Sequence, residues 1–394
     1  MISIWPLKGK IQHYAWGGKQ FIPELLGLQN TDGAPYAELW MGAHPKDPST
    51  VKVAEAWHDL PDLIEDQPVA ILGFRTAHAF ANQLPYLFKI LDVQSMLSIQ
   101  AHPTKSEAEK GFARENDAGI PIDAAHRNYK DDNHKPEVMV ALTEFWLLHG
   151  FKSRNAIAKT LDEMPELAPL SSHLSDGISN LYRYVMEMPQ EEVDTMLQPL
   201  YTRLSKQSDL SKGQADYWAA KAFEEYTRDG HYDRGIFSIY LFNLVHLQAG
   251  EGIFQDAGIP HAYLEGVNVE LMANSDNVFR GGLTPKHVDV PELMQHLVFD
   301  AVTPNVLSGT ALSEAEVAYS TPASDFELRR IQLKPGQQFP CQPAEGPRIF
   351  IVAEGWVVTG TGQRFVRGQS FFIPDYGQGF LSGECVLFRA GVPV

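Results

Sequence analysis

"RIFIVAEGWVVTG" (residues 348–360), "QRFVRGQSFFIPDYG" (363–377) and "CVLFRAG" (385–391) are short apolar runs rich in Val, Ile and Phe, parted by Gly and Pro. With "FELRRIQLKPGQQF" (326–339), they read as closely spaced strands of a β-sandwich or small barrel. No histidine follows His296, so a histidine-bound metal has no place in this region. It is expected to form a β-domain without a metal site over residues 301–394.

Working back from there, residues 236–300 carry a second β-texture in "GIFSIYLFNLVHLQAGEGIFQDAGIPHAYLEGVNVELM", which starts at Gly235. Residues 1–105 mix apolar runs with Gly and Pro, and read as strands and turns with a helix near "DLPDLIED". "TKSEAEKGFAREN" has helical character, and either Thr104 with Glu107 or Ser106 with Glu109 supplies the capping-box spacing. Between residues 151 and 235 the period changes. Ile157, Leu161 and Met164 recur at helical spacing, as do Ile178, Leu181 and Val185, then Val193, Met196 and Leu200. Pro165, Pro189 and Pro199 are expected to cut this stretch into short helices. The fold class is therefore mainly β with an α-helical insertion. Its expected divisions are 1–150 with 236–300, the helical 151–235, and 301–394.

At 394 residues the chain is long for one core, and two or three domains are expected. The net charge of −17 disfavours nucleic acid and anionic membranes as partners, because phosphates are repelled over a wide surface. A small anionic substrate stays compatible where Lys and Arg converge locally. Two cysteines, Cys341 and Cys385, are too few for a disulfide framework. The first residues lack the apolar core and cleavage site of a secretion signal, and no apolar run is long enough to span a bilayer. A cytoplasmic monomer is expected.

Three stretches offer metal-binding chemistry. In "LSIQAHP" (97–103), strand alternation sends Gln100 and His102 to one face and Ile99 and Ala101 to the other. In "NHKPEVMV" (133–140), Lys135 and Glu137 share a strand face while His134 and Pro136 point away. In "GIPHAYLEG" (258–266), Gly258 and Pro260 deliver His261 from a turn onto a strand, with Tyr263 on its face. Two imidazoles, one carboxylate and one amide oxygen make a plausible shell for a divalent cation, with a position open to substrate. Each residue alone has a plainer reading as a core histidine or solvated charge, and spacing does not join the three segments. Arg280 precedes Gly281 and Gly282, which would permit a sharp turn presenting its guanidinium in a cleft.

The motifs "QHYAWGG", "AELWMGAHP", "LSIQAHP", "GFARENDAGIP", "RNYKDDNHKPE", "PHAYLEG" and "ELMANSDNVFRGGLTPK", spanning residues 12 to 286, together resemble the type I phosphomannose isomerase family. The resemblance implies two cupin (jelly-roll) domains, the first interrupted by helices. It also implies a zinc-dependent interconversion of mannose 6-phosphate and fructose 6-phosphate. It makes Gln100, His102, Glu137 and His261 the zinc ligands, and Arg280 the active-site arginine. Lys135, Lys286 and Glu270 match further pocket residues. Glu270 is the favoured base, with His134 and Lys135 as rivals for ring opening or proton relay, and Lys286, His134 and Tyr263 are expected against the substrate. Other cupin sugar enzymes, and a non-catalytic sugar-phosphate binder, remain alternatives at this stage.

Overall fold

Two antiparallel sheets carry the fold in a computed structural model that describes residues 4–393. The ten-stranded sheet holds strands Tyr86–Val93, Ile99–Ala101, Glu137–Ala141, Phe145–Phe151, His261–Ala273 and Phe279–Gly282 among its members. The eleven-stranded sheet is built mainly from residues after 310, and it includes the three runs quoted at the outset. It also takes Trp5–Lys8, which pairs with Ser370–Ile373 in the register Trp5↔Phe372. Thr50–Val53 and Ala56–Asp59 extend it beyond that strand. The N-terminal residues thus belong to both sheets, and they tie the ends of the chain together.

Alternation along the strands decides what each face does. Tyr86, Phe88, Ile90, Val138, Val140, Val269 and Leu271 pack against Leu7, Ile349, Ile351, Phe372, Phe388 and Ala390 from the other sheet. Their alternate neighbours Lys89, Glu137 and Glu270 must then point the opposite way, into the interior of the ten-stranded barrel. Leu91, Val93, Met139, Ala141, Phe145, Leu147 and Tyr263 fill that interior with apolar volume on the far side of these charges. One end of the barrel is a dry plug, and the other is polar.

The long strand His261–Ala273 crosses between layers. Its first residues pair with Phe145–Phe151 and Gln100, and its later ones with Tyr86–Val93 and Glu137–Ala141. The change falls at a register shift between Tyr263 and Glu265, followed by Gly266 at φ 129°. A Cβ at Gly266 would lie 2.5 Å from the Glu144 carbonyl oxygen, so only glycine lets the strand turn this corner.

The helical insertion packs on the outside of this sheet. Leu181, Leu197, Trp218 and their neighbours share one core with Ile99, Ala101, Phe151, Ala262 and Phe279. Ile99 and Ala101 therefore face the helices, as alternation requires. The helix Lys105–Asp117 begins at the Thr104 capping box, with Glu107 returning to the Thr104 N–H at 2.8 Å. Two local expectations fail. Pro199 lies inside the helix Gln190–Leu204 instead of ending it, because Val193, Leu197, Leu200 and Leu204 bury the turns on both sides. That packing outweighs a cost of about 3 kcal/mol for an interior proline. Gly235–Leu241 is a helix, not a strand. All seven of its residues are buried, and a fully buried apolar run carries no period to tell helix from strand.

Candidate metal centre

His102, Glu137 and His261 meet at the polar end of the barrel, with one ligand atom from each within 4.8 Å of the others. All three side chains are buried. Their backbones fix them from three directions: His102 leaves the end of Ile99–Ala101, Glu137 opens Glu137–Ala141, and His261 opens the long strand.

The hydrogen bonds around them define what the free atoms can do. His102 Nδ1 lies 2.7 Å from the Asn277 carbonyl oxygen, and His261 Nδ1 lies 2.9 Å from that of Ile259. A carbonyl only accepts, so each Nδ1 carries the proton and each Nε2 presents a lone pair. Both Nε2 atoms and Glu137 Oε2 are buried with no hydrogen-bond partner among the described residues. Three orphaned acceptors aimed at one point would be costly in a finished core, and a divalent cation satisfies all of them. The donor set of two imidazoles and a carboxylate suits zinc, which keeps further positions for a weaker ligand or substrate.

Charge agrees with this reading. Burial, with Lys135 close by, pushes the His102 imidazole down to about 4, so it is neutral and ready to ligate at pH 7. Its 3.5 Å approach to Glu137 is then a shared ligand geometry and not an ion pair. Burial alone would raise Glu137, but the Lys135 ammonium at 3.0 Å leads the interactions that hold the carboxyl well below its usual range. Lys135 precedes the strand instead of lying on it, yet its side chain reaches Glu137 as expected.

Gln100 and Arg280 join through strand register. Arg280, Gln100, His261 and His149 form one transverse row across four strands, Arg280↔Gln100, Gln100↔His261 and His261↔His149. Cross-strand partners share a face, so Gln100 stands between Arg280 and His261 on the barrel side. Arg280 sits on the short strand Phe279–Gly282 with a bulge before Gly282, not on the expected sharp turn. It is half-buried and makes no ion pair among the described residues, and burial lowers its pKa. Lys286 is also lowered by burial and by the neighbouring Arg280 and Lys46 charges, and Lys130 feels Arg280 and Lys46 too. A basic rim thus supplies the local positive field that an overall charge of −17 lacks.

Glu270 lies deeper. Lys89 Nζ stands 3.1 Å from its Oε2 and 3.5 Å from Glu38 Oε2, and the Tyr263 hydroxyl donates to its Oε1 at 3.0 Å. Burial raises the Glu270 pKa despite Lys89, since two carboxylates compete for one ammonium. His134 Nε2 lies 3.0 Å from both carboxylate oxygens of Asp325. Lys89, Glu38, Lys46 and Lys130 were missed in the sequence. For Lys89 a signal existed: it is the lone cation inside the apolar run "YLFKILDV", at the parity that faces the barrel interior.

A barrel holding a His–Glu–His centre behind a basic rim defines a cupin-type metalloenzyme built for a small anion. The phosphomannose isomerase type I catalytic domain model matches residues 4–154. The mannose-6-phosphate isomerase of Escherichia coli K12 is 42% identical over 376 residues, covering 93% of this chain and 94% of that protein. The mouse mannose-6-phosphate isomerase is 31% identical over 423 residues, covering 99% and 96%. The crystal structure of mannose 6-phosphate isomerase from Salmonella typhimurium, bound to its substrate fructose 6-phosphate and to zinc, superposes with a TM-score of 0.89 at 37% identity, covering the whole of both chains. The chain belongs to the type I phosphomannose isomerase family.

Proposed function

We propose that this protein is a zinc-dependent aldose–ketose isomerase that interconverts D-mannose 6-phosphate and D-fructose 6-phosphate through a cis-enediolate. The observation that carries this is the set of three buried, unpartnered ligand atoms on His102, Glu137 and His261, in a chain of this family. Gln100, next to His261 in the register, is proposed as the fourth ligand. Zinc, when bound, supplies Lewis acidity and a template for the sugar oxygens.

The remaining roles are assigned from position and charge. Arg280 and Lys286, with no competing carboxylate in contact among the described residues, are proposed to hold the phosphate and the enediolate charge. Glu270 is proposed to carry the proton between C2 and C1. Its raised pKa suits a base, and a carboxylate with two contacts still has lone pairs free for a proton. Tyr263 orients Glu270, Lys135 holds Glu137 and reaches toward substrate, and His134 is proposed for ring opening. The two-barrel division with a helical insertion, a monomeric state and a cytoplasmic location complete the proposal. The cytoplasmic location is supported by two buried free cysteines, as a reducing compartment allows. No helix among the described residues is long and apolar enough to cross a membrane.

The test is a coupled assay on mannose 6-phosphate with metal analysis. Activity is expected to vanish with a chelator and to return with one equivalent of zinc. Full activity in metal-free protein refutes the proposal.

A further inference from the structure

The C-terminal region, residues 301–394, which holds no histidine, touches the segment leading to the metal centre through Asp325. Asp325 is buried, and both of its carboxylate oxygens lie 3.0 Å from His134 Nε2, an atom 191 positions away in sequence. Ser324 Oγ donates to the same carboxylate at 3.3 Å. The next residue, Phe326, is anchored in the core between the two sheets together with Val138 and Val269, and Glu327 opens the strand Glu327–Leu333. Asp325 is therefore fixed to the second sheet by its own backbone and is not a mobile surface acid.

The segment it holds is the approach to the metal centre. Lys135 follows His134 and pairs with Glu137 at 3.0 Å. The other end of this segment is tied to the first barrel. Asn277 Oδ1 accepts from Lys130 N at 2.6 Å, and Asn277 Nδ2 donates to the Asn133 carbonyl at 2.8 Å. Asp131 accepts from the N–H of Asp276 at 2.8 Å. Residues 130–133 thus rest on residues 274–277, whereas the described hydrogen bonds of the His134 side chain go only to Asp325.

We infer that Asp325 is a positioning residue for the isomerase reaction: acting through His134, the C-terminal sheet sets the orientation of the His134–Lys135 segment over the metal centre. This rests on the isomerase reading above. It also gives residues 301–394, which contain no histidine, a part in turnover that does not require a ligand of their own.

The experiment is a double-mutant cycle on zinc-loaded, full-length protein with mannose 6-phosphate as substrate. Asp325→Ala is expected to lower kcat about tenfold to a hundredfold, the range for a lost orienting partner, while zinc stays at one per chain. Asp325→Asn keeps an acceptor of the same shape and is expected to lose only part of this. It also carries the test if the alanine variant does not fold. In the His134→Ala background, either Asp325 substitution is expected to change kcat by less than twofold, because the group it orients is gone. A general structural defect would instead multiply with the His134→Ala loss, and that outcome overturns the inference, as does wild-type kcat in Asp325→Ala. A wild type that leaves mannose 6-phosphate unchanged refutes the isomerase reading itself, so the two failures are told apart.

Discussion

Lys89 is the sharpest test of how the interior of the barrel is held together. Its ammonium is buried between Glu270 at 3.1 Å and Glu38 at 3.5 Å. At an effective dielectric near 20, each contact is worth about 5 kcal/mol of Coulomb attraction, most of it spent on desolvating the three charges. Lys89→Met keeps the stem and deletes the charge, which leaves two carboxylates facing each other in the interior. Removing one partner of a buried pair costs about 3–5 kcal/mol, and that is the expected loss at pH 8. The sign of the pH dependence follows from Glu270. Its folded pKa is already raised by burial, and without Lys89 it rises further above the unfolded value. A carboxyl raised on folding binds its proton more tightly in the native state, so stability falls as pH rises through the folded pKa. The deficit relative to wild type is therefore expected to shrink from pH 8 toward pH 5. Adding Glu270→Gln is expected to recover part of it. Urea denaturation of the zinc-loaded proteins at both pH values measures this. A deficit below about 1 kcal/mol, or one equal at the two pH values, would show that the triad is solvated and that the interior reading is wrong.

Three further outcomes are expected. His102→Ala and His261→Ala each remove one of three converging ligand atoms, and both should lose zinc and activity together. Full zinc stoichiometry by metal analysis in either variant contradicts the ligand set. Arg280→Ala should retain zinc and fold while kcat falls about a hundredfold to a thousandfold, the scale for losing a preorganised charge at a developing oxyanion; steady-state kinetics at near-normal kcat removes Arg280 from the mechanism. Asp92 is raised to about 6 by burial, against a lowering hydrogen bond from the Phe21 N–H. Its charge is therefore a liability above pH 6 that disappears below about 4. Asp92→Asn should stabilise the protein by about 1–2 kcal/mol at pH 7, after allowance for solvent screening, and hardly at all at pH 4. Equal denaturation midpoints at pH 7 contradict that reading.

What the sequence determined by itself was local: which residues share a face, and where a helix caps. Gln100 and His102 oppose Ile99 and Ala101, Lys135 meets Glu137, and Thr104 starts its helix, because the two-residue strand period and the capping box act within a few bonds. The same local signals failed at Pro199 and at Gly235–Leu241, where burial by distant residues overrode propensity or erased the period. The tertiary structure alone decided register. The order Arg280, Gln100, His261 along one row depends on which strands pair, and so do the meeting of Lys89 with Glu270, the N-terminal strand laid on Ser370–Ile373 and the reach of Asp325 to His134. Such pairings are fixed by contacts between segments tens to hundreds of residues apart, and no period within a single strand can encode its partner.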